Sequence, residues 1–143
     1  MFHAIFRSIR PGKRTPLFLL ILLAGCSDGP TLVRVSGTVT RDGKPVPNLF
    51  VHFKPEHGRP SWGFTDENGH YVLHYDKKVE GAVVGTHVVF VVYEAGASSP
   101  GEKPKEKMPK EMSTILAKYG NPATTPLKKD VSKDNKVIDL SLD

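Results

Sequence analysis

Residues 33–44 read VRVSGTVTRDGK, and this stretch decides the fold class. Apolar and polar residues alternate from Val33 to Thr40, which is the pattern of a β-strand with one buried face and one wet face. Asp42-Gly43 follows directly. Asp-Gly after an alternating run is a strong turn signal, because Gly accepts the positive φ that tight hairpin turns require. The stretch therefore predicts a strand and a turn of an all-β domain.

The same period of two continues along the chain. The run 87–93, HVVFVVY, is nearly all β-branched or aromatic and predicts a strand buried on both faces near the middle of a sheet. Asp66-Glu67-Asn68-Gly69 predicts the turn of a second hairpin, with Trp62 and Phe64 before it and a strand after it. The other predicted strands are residues 48–54, 70–75, 127–131 and 136–142.

Residues 94–126 form an insertion of different composition, rich in Pro, Lys, Glu, Gly and Ser. Structureless loops in compact domains rarely exceed about 12–15 residues, so part of this insertion should be ordered. Met112, Ile115, Leu116 and Tyr119 recur at helical spacing, and Gly120 follows them as a stop signal. The sequence predicts one short helix over residues 110–119, docked on the sheets through these four side chains.

The N-terminus predicts a secretion signal. Four basic residues precede the apolar run from Leu17 to Leu23, which is much shorter than the roughly 20 residues of a membrane-spanning helix. The run is followed by Leu23-Ala24-Gly25-Cys26, which resembles the lipobox of bacterial lipoproteins. The resemblance implies that residues 1–25 are removed and that Cys26 carries a diacylglyceryl group, whose two acyl chains suffice for stable anchoring.

Removal of residues 1–25 changes the charge balance. Four of the 20 Lys and Arg lie in the predicted leader and all 15 acids follow it, so the mature chain carries 16 basic against 15 acidic side chains. A nearly neutral domain gives no indication of nucleic-acid binding. The predicted organisation is a leader over residues 1–25, a lipidated tether over 26–31 and one β domain over 32–143 that contains the insertion.

Three stretches together resemble the carboxypeptidase regulatory-like, or transthyretin-like, domain of short bacterial lipoproteins. They are VSGTVTRDGKPV at 35–46, FTDENGHYVL at 64–73 and GAVVGTHVV at 81–89. The resemblance implies a seven-stranded Greek-key β-sandwich with the helix in its long insertion. Its motifs mark turns and strand starts, so they indicate the fold and say little about activity.

Catalytic and metal chemistry find little support in the sequence. The chain ends in IDLSLD and lacks the Tyr-Arg-Gly-Ser terminus of the hydrolase branch of transthyretin-like proteins. His70 and His74 share a strand face about 13 Å apart, which is too far to chelate one ion, and the five histidines after residue 25 are expected at surface or edge positions. We therefore expect no enzyme activity, no metal and no cofactor.

Trp62, Phe64 and Tyr71 are the candidate binding residues, as a stacking platform for a sugar or a peptide; the alternative is that they belong to the core. The predicted function is a membrane-anchored, non-catalytic binding or assembly module of the cell envelope. Its partners would be membrane lipid through acylated Cys26 and an envelope protein or glycan. The alternatives are a purely structural spacer and a carbohydrate- or peptide-binding accessory domain. An exposed Trp62 beside a second aromatic residue would favour binding, and burial of every large aromatic side chain would favour the spacer.

Overall fold

A computed structural model describes residues 29–94 and 107–143 of the chain. Most of the regular structure is β, which confirms the all-β class, and one helix accompanies the strands. The strands are β1 (Leu32–Val33), β2 (Ser36–Arg41), β3 (Lys44–Pro45), β4 (Leu49–Pro55), β5 (Ser61–Phe64), β6 (His70–Val72), β7 (Ala82–Val83), β8 (Gly85–Tyr93), β9 (Lys128–Val131) and β10 (Leu140–Ser141), and the helix is α1 (Lys110–Tyr119).

Two four-stranded sheets carry most of the strands. In the first, which we call the β2 sheet, β2 pairs with β3 and β6 in antiparallel orientation and with β10 in parallel orientation. In the second, the β8 sheet, the order β5-β4-β8-β9 is antiparallel throughout. The short strands β1 and β7 form a separate pair. The predicted central position of the 87–93 run is confirmed, because β8 lies between β4 and β9. The predicted burial on both faces is wrong, because buried residues of this run alternate with partly exposed ones.

The hydrophobic core takes side chains from both four-stranded sheets and from α1. Alternation along β4 sends Leu49, Val51 and Phe53 into this core, where each is fully buried. Tyr71 of β6 lies in the same core, and its hydroxyl donates a hydrogen bond to the carbonyl oxygen of Ile138 at 2.5 Å. This close approach requires a glycine at position 37, because a Cβ there would lie 1.9 Å from the same oxygen.

The predicted helix is confirmed at its predicted bounds and docks as expected. Met112, Ile115 and Tyr119 are buried in the core cluster, and Leu116 packs against it. A ten-residue helix is marginal alone, so these tertiary contacts are what stabilise it. The Tyr119 hydroxyl also donates a hydrogen bond to the carbonyl oxygen of Asp143, which ties the end of α1 to the C-terminal segment.

Both predicted turns are present, and the second hairpin is formed in part. Asp42 and Gly43 have φ of 49° and 73°, as a tight hairpin turn between β2 and β3 requires. Around the second turn, Asp66 Oδ1 accepts hydrogen bonds from the Asn68 and His70 amides. The chain on either side of this turn meets in one antiparallel bridge, Trp62 with His74, while β5 otherwise pairs with β4 and β6 pairs with β2. The hairpin prediction is therefore confirmed for the turn and for this bridge, although β5 and β6 themselves belong to different sheets.

The strand count also differs from the predicted seven. The described residues contain ten strands, and four of them, β1, β3, β7 and β10, have only two residues. Among the described residues no helix is both long and apolar enough to cross a membrane. Cys26 and the predicted leader lie outside the described residues, as do residues 95–106 of the insertion.

Candidate functional site

The face of the β8 sheet that points away from the core carries a cluster of ring side chains. Cross-strand register places Phe50 of β4 opposite Phe64 of β5, and His52 of β4 opposite both Trp62 of β5 and Phe90 of β8. Residues directly opposite each other in a sheet have side chains on the same face. We call this cluster the aromatic platform; its members are Phe50, His52, Trp62, Phe64, His74 and Phe90.

Phe50 is the centre of the platform. Its ring centroid lies 5.1 Å from that of Phe64, 5.7 Å from that of Trp62 and 6.3 Å from that of His52, all in tilted arrangements. These are the separations at which aromatic pairs attract beyond simple burial of area. Phe50 is only 1% exposed although it stands outside the main core, because the surrounding rings cover it.

The rim of the platform consists of partly exposed rings in two stacked pairs. His52 stacks on Phe90 with centroids 4.7 Å apart and planes at 6°, and Trp62 stacks on His74 at 5.2 Å and 28°. His74 reaches this position because its backbone bridges to Trp62, with hydrogen bonds of 3.0 and 2.7 Å in the two directions. The backbone of His74 thus adds one residue to the β8 sheet, next to its edge strand β5.

Two of the three candidate binding residues lie on the platform, and the third does not. Trp62 and Phe64 are both partly exposed and meet through Phe50. Tyr71 is 1% exposed in the core, so its assignment to a stacking surface is corrected here. The physical reason is that β6 belongs to the β2 sheet and turns this side chain inward, whereas Trp62 and Phe64 lie on the outer face of β5.

The histidines fall into three environments. His57 and His70 are exposed, and His52 and His74 are partly buried on the platform. His87 is 1% exposed, which contradicts the expected surface or edge position. Its Nδ1 lies 2.9 Å from the carbonyl oxygen of Gly85, and burial lowers its pKa. Among the described residues, no group of three or more His, Cys, Asp or Glu side chains is arranged to hold a metal ion.

Burial lowers the pKa of His52 from 6.5 to about 4, so the ring is neutral on the platform at neutral pH. Between these two values the unfolded chain binds more protons than the folded one, so stability is lost as the pH falls from 6.5 towards 4. We expect about 1–2 kcal/mol of the free energy of unfolding to be lost between pH 7 and pH 5 through this residue.

Urea unfolding at the two pH values checks this expectation. His52→Phe keeps a ring stacked on Phe90 and should remove the loss of stability that His52 causes between pH 7 and pH 5. The contribution of the buried His87 to the pH dependence should remain. His57→Phe is the matched control, because it replaces a histidine that is exposed and lies outside the platform. An identical pH dependence in His52→Phe and the wild type would show that His52 is not held neutral by the fold.

Two concave surfaces adjoin the platform and the helix. The larger, about 560 Å³, lies between the β2–β3 turn, the end of β8 and α1, and is bordered by Lys44, Tyr93, Pro109, Glu111 and Met112. The smaller, about 370 Å³, lies beside the platform at the start of β8; Lys54, Glu56, Thr86, Val88 and Lys128 are among its lining residues. We call the smaller one the lysine recess.

Comparison with protein-family models, with curated proteins and with solved structures finds no match to this chain. The fold and the site together define a class of protein. It is an all-β protein with one docked helix and with aromatic side chains on the outer face of one sheet.

Proposed function

We propose that this protein is a lipid-anchored, non-catalytic binding or assembly module of the cell envelope, and that the aromatic platform is its recognition surface. The module is held outside the cytoplasm by acyl chains on Cys26. Its fold is proposed to be a Greek-key sandwich of the carboxypeptidase regulatory-like type. The sequence motifs quoted for this family support that proposal, as does a core shared between two four-stranded sheets.

The observation that carries the proposal is the partial exposure of Trp62 beside His74, with Phe64 and Phe90 also partly exposed on the same face of the sheet. A sheet needs no ring side chains on its solvent face, and apolar patches bordered by polar residues mark interaction sites. Large aromatic side chains are also the residues that most often dominate the free energy of binding at interfaces. A spacer would not need this arrangement, so the platform favours binding over the structural alternative.

The platform is better suited to binding than to chemistry. His52, its titratable member with a clearly lowered pKa, is kept neutral by burial and stacks flat on Phe90. A neutral ring in this setting adds apolar contact area. The polar groups of the lysine recess border the platform, as the polar rim of a protein interface does.

Crosslinking in native envelopes tests the proposal. We expect Trp62→Ala and Phe64→Ala to reduce recovery of a crosslinked envelope partner by at least about tenfold, as truncation of a central aromatic residue typically does. Val137→Ala is the control, since Val137 is 67% exposed and does not belong to the platform. Circular dichroism should show that each variant is folded.

Absence of any crosslinked partner in the wild type would favour the spacer instead. Recovery of one partner by all variants alike would place the recognition surface elsewhere on the domain.

A further inference from the structure

Two lysines stand in one row across the β8 sheet, on the same face as the aromatic platform. Lys54 of β4 and Lys128 of β9 are each opposite Val88 of β8, so their backbones lie about 10 Å apart, two strand spacings. Both side chains are exposed and both line the lysine recess. Within the part of the chain that the structure describes, neither ammonium group forms an ion pair.

Two acidic groups lie near this row, and neither is paired with Lys54 or Lys128. The Glu56 carboxylate lies 3.8 Å from the His57 ring and is almost fully exposed. Asp130 lies one row further along and accepts a hydrogen bond from the Thr86 hydroxyl at 3.4 Å. Two exposed lysines on either side of an apolar residue suit a phosphate group, which each ammonium group can approach.

The row lies at the end of the domain where the tether leaves. The amide of Val84 donates a hydrogen bond to the carbonyl oxygen of Thr31 at 3.0 Å, and β1 pairs with β7 just beyond. Thr86, which lines the recess, is only two residues after Val84. Cys26 precedes Thr31 by five residues, which can span at most about 18 Å.

We infer that the row of Lys54 and Lys128 binds the phosphate groups of anionic lipid headgroups and so holds the tether end of the domain against its own membrane. The inference rests on the lipid anchor at Cys26 proposed above. Each lysine near an anionic membrane surface favours the bound state by about fivefold. This modest gain suffices because a short tether makes the contact intramolecular, at an effective concentration in the millimolar range.

The aromatic platform lies further from the tether end than the lysine row does. Along β4, His52 and Phe50 lie two and four residues before Lys54, which places them about 7 and 13 Å further from the tether end. A domain held by its lysine row therefore keeps the platform clear of the lipid and open to a partner. Without the row, the same apolar rings could turn onto the membrane.

Paramagnetic NMR of the mature, acylated protein in nanodiscs tests this orientation. The nanodiscs carry a gadolinium-chelate headgroup and consist of phosphatidylcholine alone or of an equal mixture with phosphatidylglycerol. In the anionic mixture we expect strong broadening of the Thr86 and Lys128 amides and weak broadening of Val92, at the other end of β8. Lys54→Ala with Lys128→Ala should reduce the ratio of oriented to unoriented protein by roughly thirtyfold, about fivefold for each lysine.

The matched control is Lys44→Ala with Lys110→Ala, which removes the same charge from exposed positions at the other end of the domain. Selective broadening that survives the double substitution at Lys54 and Lys128, or that is equal in pure phosphatidylcholine, would overturn the inference. Strongest broadening at Trp62 and Phe64 would also overturn it, because the platform would then face the lipid. Any of these results leaves the anchor intact, whereas a protein that does not enter nanodiscs at all contradicts the anchor itself.

Discussion

Gly69→Val is expected to lower the melting temperature by more than about 10 °C, the largest effect of any single change considered for the fold. Gly69 has φ of 71°, where a β-branched side chain is strained by about 1–3 kcal/mol. A Cβ at this position would also lie 2.5 Å from the carbonyl oxygen of Val39, a backbone atom of β2 that cannot easily move. Strain and collision both destabilise the folded state, so the loss should exceed that from backbone strain alone.

Gly43→Val is the matched control for this prediction. Gly43 has nearly the same φ, 73°, but no atom lies within 4 Å of the Cβ that a side chain would add. Its loss of stability should therefore be limited to backbone strain, and differential scanning calorimetry should place it between the wild type and Gly69→Val. Equal melting temperatures for the two variants would mean that Gly69 does not pack against β2.

Cys26→Ser is expected to abolish acylation completely. Intact mass of the membrane-extracted wild type should show that residues 1–25 are absent and that acyl chains are attached to Cys26. The serine variant should retain the mass of the unlipidated precursor, because a hydroxyl group does not replace the thiol as acceptor. Ser27→Ala, one residue further on, should be processed like the wild type. A mature wild type that is soluble and unacylated would contradict the anchor.

Local sequence signals predicted the elements that depend on residues close together in the chain. The helix at 110–119 follows from apolar spacing and a stop at Gly120, and the first turn follows from Asp42-Gly43, both within a few residues. Pairing between strands depends on residues far apart in the chain. The turn after Asp66 and the bridge between Trp62 and His74 therefore agree with the predicted hairpin, whereas the main partners of β5 and β6 lie in different sheets.

The candidate site was predicted in part for the same reason. Trp62 and Phe64 alternate on one short strand and share a face, as a period of two requires. Tyr71 was grouped with them by closeness in sequence, but it belongs to the other sheet. Phe90 lies in an all-apolar run, where no alternation distinguishes the two faces, and Phe50 and His52 join the platform only through the register of β4 with β5 and β8.

Site-specific photocrosslinking in intact cells tests most directly the proposed recognition of an envelope partner by the aromatic platform, with benzoylphenylalanine replacing Phe64, Phe90 or Val137 in turn. The first two replacements are conservative and lie on β5 and β8, on opposite sides of Phe50. The account predicts the same crosslinked partner from positions 64 and 90 and none from position 137. Crosslinks from position 137 alone, or no crosslinks from any position, would contradict it.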